Sequence, residues 1–155
     1  MLHPIQLQHL PARPIAVVRR RVAPSQLSTV IPQACGLVWT TIKAAKVTDA
    51  GRHIAIYRHA DGGLLDVEIG VEVGSPFAGR DEVVGSATPA GEVATVPHFG
   101  PYHKLKEAHQ ALRQWCADNG RTPSGITWEI YGHWLDEWNK DPSQIRTDVF
   151  YLLKS

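Results

Sequence analysis

The sequence predicts an α+β fold built from two βαββ units. Three observations lead to it: a chain of 155 residues that is 43% apolar, the order strand, helix, strand, strand met twice along it, and short residue matches between the two copies. A chain of that size and apolar content can bury one sizeable core, and no long disorder is expected.

Residues 1–13 read as a Pro-containing leader. Ile15 to Val22 (IAVVRRRV) combines β-branched residues with arginines and predicts a first strand that ends near Pro24. Ile31, Cys35, Val38, Ile42 and Ala45 then recur at spacings of four and three, the mark of one buried helix face. Pro32 disfavours helical geometry at Ile31 and lacks an amide, so the regular helix begins or bends there. His53 to Ala60 and Leu65 to Val73 are strands around the turn Asp61, Gly62 and Gly63. In the second of them Leu65, Val67, Ile69, Val71 and Val73 alternate with Asp66, Glu68 and Glu72. Gly74 to Thr88 is rich in turn formers and reads as a connection.

Glu92 to Phe99 opens the second copy as a strand, with Pro97 arguing for an edge or a bulge. Gly100 and Pro101 lead into a helix whose stripe is Leu105, Ala108, Leu112, Trp115 and Cys116, closed by Asn119 and Gly120. Ile126 to His133 and Arg146 to Leu153 complete the unit as strands joined by a loop too long for a tight turn. Ile56-Tyr57-Arg58-His59 matches Ile130-Tyr131-Gly132-His133 at an offset of 74, and Asp66-Val67 matches Asp148-Val149 at an offset of 82. One domain over residues 14–155 is expected, with repeats at about 14–74 and 90–154. Two such units would share a core beneath two helices, and a groove along their join is a natural ligand site.

Sixteen Lys plus Arg against fifteen Asp plus Glu give a net charge of +1, which leaves no basic excess for a phosphate backbone. Direct nucleic-acid binding is not expected. No apolar run approaches a membrane span and no signal peptide is visible, so a cytoplasmic location without membrane association is expected. Cys35 and Cys116 form no CxxC pair and read as small buried residues. His98, His103 and His109 cluster only loosely, and His103 with Glu107 at i,i+4 reads as a solvated pair. Neither a metal nor a cofactor is expected.

The segments LDVEIGVEV, VPHFGPY, KLKEAHQALRQWCADNG, WEIYGHW and RTDVFYLL, in that order, resemble the GyrI-like or AraC effector-binding domain family over about residues 14–154. The resemblance implies a duplicated βαββ, SHS2-type fold with a central antiparallel sheet, two main helices and a cleft for hydrophobic, often cationic, small molecules. Regulators of the family carry DNA-reading segments; the thirteen residues before Pro14 are too few for one, so a free-standing receptor, sequestering protein or enzyme is expected. Contact with a regulator or with gyrase follows from the family name alone.

The resemblance also implies a cleft glutamate on a strand after the second helix, the place that Glu129 occupies. Alternation puts Glu129, Tyr131 and His133 on one side of that strand and Trp128 and Ile130 on the other. Either side could face the cleft; the resemblance selects that of Glu129. A carboxylate among rings is costly to desolvate, so it takes a proton or waits for a cation. Its alternative is a solvated strand position. Tyr57 and Tyr131, matched between the copies, are candidate groove walls or half-buried strand tyrosines. Trp39, Trp134 and Trp138 are candidate rims or lids, with core packing the alternative for Trp39. Tyr102 at the entry to the second helix is a candidate contact, and Glu68 a candidate second cleft carboxylate or a solvated one.

Two functions follow. The first is a stand-alone binding protein for hydrophobic, cationic or neutral aromatic compounds, with Glu129 and the rings as its recognition set. The alternative is a hydrolase that opens cyclopropane-containing DNA-alkylating compounds, an activity the resemblance implies for some members, with Glu129 and Tyr131 moving protons or orienting the electrophile. No triad order, nucleophilic Cys motif or phosphate loop demands catalysis.

Overall fold

The computed structural model describes residues 3–133 and 135–155. Its strands are β1 (Gln6–Leu10), β2 (Pro14–Val22), β3 (His53–His59), β4 (Leu65–Glu72), β5 (Val84–Ala87), β6 (Gly91–Phe99), β7 (Pro123–Tyr131) and β8 (Arg146–Leu153). Its α-helices are α1 (Leu27–Ala44), α2 (Leu105–Asp118) and the short α3 (Glu137–Lys140). The chain is thus α+β, with antiparallel strands and two main helices. It divides into two compact units, Pro11–Pro89 and the residues up to Leu10 together with Ala90–Ser155.

In the Pro11–Pro89 unit the strand order is β3-β4-β2-β5, antiparallel throughout. Directly paired residues share a face, so Ala16, Val71 and His53 form one row and Val18, Ile69 and Ala55 the next. The helix α1 lies on this face, its Trp39 ring 6.2 Å from that of His53. Ala34, Val38, Thr41 and Ile42 are its buried positions, while Ile31, Cys35 and Ala45 are half-buried on the flank of the stripe. The helix starts at Leu27 and runs through Pro32. Pro32 sits little more than one turn in, where a missing amide costs only the bond to the Ser28 carbonyl.

Gly70 lies opposite Val17 and Ile54 in the middle of this sheet. A Cβ there would run into the Ala16 carbonyl, so the close approach of β2 to β4 requires glycine. β5 falls in the segment that sequence reading leaves as a connection. Its four residues, VGSA, are too few to show alternation, and only pairing with β2 makes them a strand.

In the other unit the order is β1-β6-β8-β7, again antiparallel. β1 comes from the segment read as a leader: Gln6 to Leu10 pair with Thr95 to Gly91. The segment QLQHL is mostly exposed, so no apolar alternation announces it. Here α2 covers the face whose rows are Ala94, Tyr151 and Thr127; Val96, Val149 and Glu129; and His98, Thr147 and Tyr131. Ala108, Leu112 and Cys116 pack on Ala94, Val96, Val149, Tyr151 and Leu153, with Leu105 and Trp115 partly buried against them. The predicted α2 stripe is the one observed. On the opposite face Trp128, 1% exposed, stacks on Phe150 with ring centroids 5.2 Å apart.

The repeats share one topology, β3-β4-β2 in one and β7-β8-β6 in the other. Their registers refine the residue matches. Val67 lies opposite Tyr57, whereas Val149 lies opposite Glu129 and Tyr131 opposite Thr147. Superposing Asp66-Val67 on Asp148-Val149 therefore brings Tyr57 to the place of Glu129. Superposing the tyrosines brings Val67 to the place of Thr147. The two matches differ by one pleat, and Tyr57 and Tyr131 are equivalent under only one of them.

Candidate functional site

Strand β7 is short of apolar side chains on its α2 side. Thr127, Glu129 and Tyr131 occupy that side, and α2 meets them with polar groups flanking its apolar stripe. His109 and Arg113, one turn apart, fall beside Ala108 and Leu112 on this flank. The result is a polar seam at one edge of the α2 core.

Glu129 is 6% exposed. Its Oε1 accepts from the Tyr131 hydroxyl at 2.6 Å, and its Oε2 lies 2.7 Å from His109 Nε2. His109 Nδ1 is in turn 2.9 Å from the Tyr151 hydroxyl, which accepts from Arg113 Nη1 at 3.1 Å. Burial pushes the Tyr151 phenol up, opposed by the nearby Arg113 charge and hydrogen bond and assisted by Glu129 and Cys116, so the phenol keeps its proton. The Tyr102 ring, 44% exposed, meets Tyr131 edge to face at 5.8 Å. Carboxylate, imidazole and three phenol rings thus gather in one place. Such a set can select a cation, stack on an aromatic ligand or shuttle a proton.

Of the candidates read from sequence, Glu129, Tyr131 and Tyr102 come together here. Tyr57, Trp39 and Glu68 belong to the Pro11–Pro89 unit. Tyr57 is half-buried in the row of Arg20 and Val67, on the α1 side. Trp39 is 44% exposed, with the Lys43 ammonium 6.0 Å from its ring. Trp138 is 5% exposed and lies over Gly132, where an added Cβ would come within 3.0 Å of its ring. It packs the loop. Trp134 lies outside the described residues.

Glu68 is buried on the sheet face away from α1. Its Oε2 accepts from Arg19 Nε at 3.0 Å and from the Ser86 hydroxyl at 2.8 Å, and its Oε1 from Arg58 Nη1 at 3.0 Å. Burial pushes this carboxyl up, but the hydrogen bonds from Ser86, Arg19 and Arg58 and the Arg58 charge outweigh it and hold the group below its ordinary value. Two guanidinium groups match its charge, and the pairs border a hollow of about 400 Å³.

Sequence reasoning does not single out His109, Arg113 or Tyr151 as site residues. The available signal was the i,i+4 spacing of two basic side chains beside an apolar stripe, with Tyr151 alternating in step with Val149 and Leu153. Among the described residues no group of three or more His, Cys, Asp or Glu could hold a metal. No helix of the described residues is long and apolar enough to cross a membrane. Cys116 is buried, Cys35 half-buried, and burial pushes both thiols up.

Each unit is thus a βαββ fold with one main helix on one face of its strands. The chain belongs to the GyrI-like small molecule binding domain family, which matches residues 3–154, and it binds small molecules as that family does. It is similar to EcmrR in an EcmrR–DNA complex, at a TM-score of 0.77 and 25% identity, over 100% of this chain and 59% of that one. This chain therefore spans less than two thirds of that protein's length. The isolated EcmrR C-terminal domain matches with a TM-score of 0.74 and 23% identity, over 100% and 99% of the two chains. SAV2435 bound to tetraphenylphosphonium matches with a TM-score of 0.70 and 12% identity, over 99% and 95%. No curated protein matches the sequence.

Proposed function

We propose that this chain binds hydrophobic cationic or neutral aromatic compounds, with Glu129 as the carboxylate that selects positive charge. The observation that carries the reading is the burial of Glu129, 6% exposed, beside a phenol and an imidazole. Glu68, by contrast, is already matched by two guanidinium groups. At an effective dielectric near 20 a cation about 4 Å from the carboxylate gains roughly 4 kcal/mol, and each well-placed ring adds about 0.5–2 kcal/mol. Desolvation of the carboxylate opposes both, so charge supplies discrimination and apolar contact supplies affinity. Similarity to SAV2435, whose structure holds tetraphenylphosphonium, supports the same ligand class. Tyr131, which donates to the carboxylate, and Tyr102, edge-on to the Tyr131 ring, are the ring contacts of this reading.

The test is titration of the full chain with tetraphenylphosphonium and with neutral triphenylphosphine oxide. Glu129→Gln is expected to weaken the cation at least about tenfold, some 1.4 kcal/mol, and to leave the neutral compound unchanged. Equal cation affinity in both proteins removes Glu129 from this role.

Hydrolysis is the second reading, favoured by the imidazole and phenol on the two oxygens of Glu129. The carboxylate would take a proton from an attacking water as the cyclopropane carbon–carbon bond opens, the electron pair moving to a conjugated carbonyl that is then protonated. Hydrated, ring-opened product formed over many turnovers and lost in Glu129→Gln establishes it; its absence leaves binding alone.

A further inference from the structure

We propose that His109 sets the charge Glu129 presents to a ligand, so that the site accepts cations when the imidazole is neutral and rejects them when it is protonated. This rests on the reading of Glu129 as the ligand carboxylate.

The direction of donation carries the inference. A guanidinium can only donate, so the Tyr151 oxygen accepts from Arg113 Nη1 at 3.1 Å. That leaves the Tyr151 O–H to donate, and His109 Nδ1 stands 2.9 Å away. A ring nitrogen that accepts carries no proton, which places the imidazole proton on Nε2, 2.7 Å from Glu129 Oε2. Every donor then points the same way, from Arg113 through Tyr151 and His109 to the carboxylate. The other oxygen holds the Tyr131 hydroxyl.

A second proton on His109 reverses this arrangement. Its Nδ1–H would face the Tyr151 oxygen, which already accepts from Arg113, and the phenol hydrogen would lose its acceptor. The imidazolium would also form an ion pair with Glu129. An incoming cation would then meet a neutralised carboxylate and a positive ring of comparable Coulomb strength. When His109 carries both protons, cation binding must expel the one on Nδ1 to solvent.

The charged and titratable groups around His109 are Arg113 and Cys116 on α2, Tyr151 on β8, and Glu129 and Tyr131 on β7. His98 on β6 shares the row of Tyr131, and Tyr102, His103 and Lys104 form the turn into α2. Arg113 is the permanent cation of the chain of bonds and opposes a second positive charge on the ring. Neutral ligands have no stake in this charge, so His109 governs the choice between charged and neutral compounds.

Two measurements on the full chain decide the matter. Nitrogen-resolved NMR without ligand, with the His109 signals assigned by their loss in His109→Gln, should show the Nε2–H tautomer in the neutral ring and a titration displaced by Glu129→Gln. The Nδ1–H tautomer, or the same titration in both proteins, overturns the inference whether or not any cation binds. Tetraphenylphosphonium affinity of the unaltered protein should fall about tenfold as the His109 ring takes up its second proton in that NMR titration, against less than about twofold over the same pH interval in His109→Gln, which keeps an N–H donor but cannot charge. A profile unchanged by His109→Gln also overturns it. If Glu129→Gln binds the cation as well as the unaltered protein, the binding role of Glu129 fails, while the NMR still decides the coupling.

Discussion

The Tyr131 hydroxyl donates to Glu129 Oε1 at 2.6 Å from two residues along the same strand. The pleat puts both side chains on the α2 side, and the Tyr131 ring is itself held edge-on by Tyr102. One oxygen of the carboxylate is thus fixed within β7 and the other from α2, so the group's orientation depends on both elements. A ligand meets a carboxylate that is already oriented.

Tyr131→Phe isolates the hydroxyl from the ring. The edge contact with Tyr102 remains, while a buried carboxylate loses a donor, and about 1–3 kcal/mol of folding stability should go with it. Urea unfolding reads the loss. No change in midpoint would mean that water replaces the phenol at no cost.

Glu68 makes stability depend on acidity. Its carboxyl is held below the ordinary 4.5 because its hydrogen bonds and the Arg58 charge outweigh burial. The unfolded chain therefore takes up the proton first, and the contribution is complete above the unfolded value and lost as pH falls through the lower folded one. Glu68→Gln should cost about 1–2 kcal/mol near neutrality, a modest figure because Arg19 and Arg58 keep contact with water. The gap between the two proteins should narrow as pH falls below the ordinary 4.5 and close once it passes the lower folded value. Thermal melts across pH test this, and a constant gap would contradict it.

Gly70→Ala forces a methyl group against the Ala16 carbonyl between two paired strands. The strands must part or the chain must shift, at a cost of about 2 kcal/mol or more. Hydrogen exchange should show faster opening of β2 and β4, while the unit containing α2 keeps its protection. Uniform loss in both units would mean that they unfold together.

Alternation and helical periodicity sufficed for β2, β3, β4, β6, β8 and the two main helices, because each has a face that must be apolar to be buried. They were silent on β1 and β5. β1 exposes most of its side chains and β5 has only four residues, so both exist only because a neighbouring backbone offers hydrogen bonds. The same distinction runs through the site. Resemblance in sequence picked out Glu129, and alternation placed Tyr131 beside it. Nothing local set His109 apart from other helical histidines, or Tyr151 from an ordinary core tyrosine.

Sequence by itself determined the α+β class, the repeat and the acidic residue on β7. Tertiary structure alone decided which groups surround that acid: residues 109, 113, 129 and 151 converge because α2 lies over β6 and β8 and turns its polar flank toward β7. It also decided that Glu68 is matched by arginines while Glu129 is met by an imidazole and a phenol. The physical reason is that burial patterns are written along the chain, whereas a carboxylate's charge depends on neighbours that only packing brings within hydrogen-bonding distance.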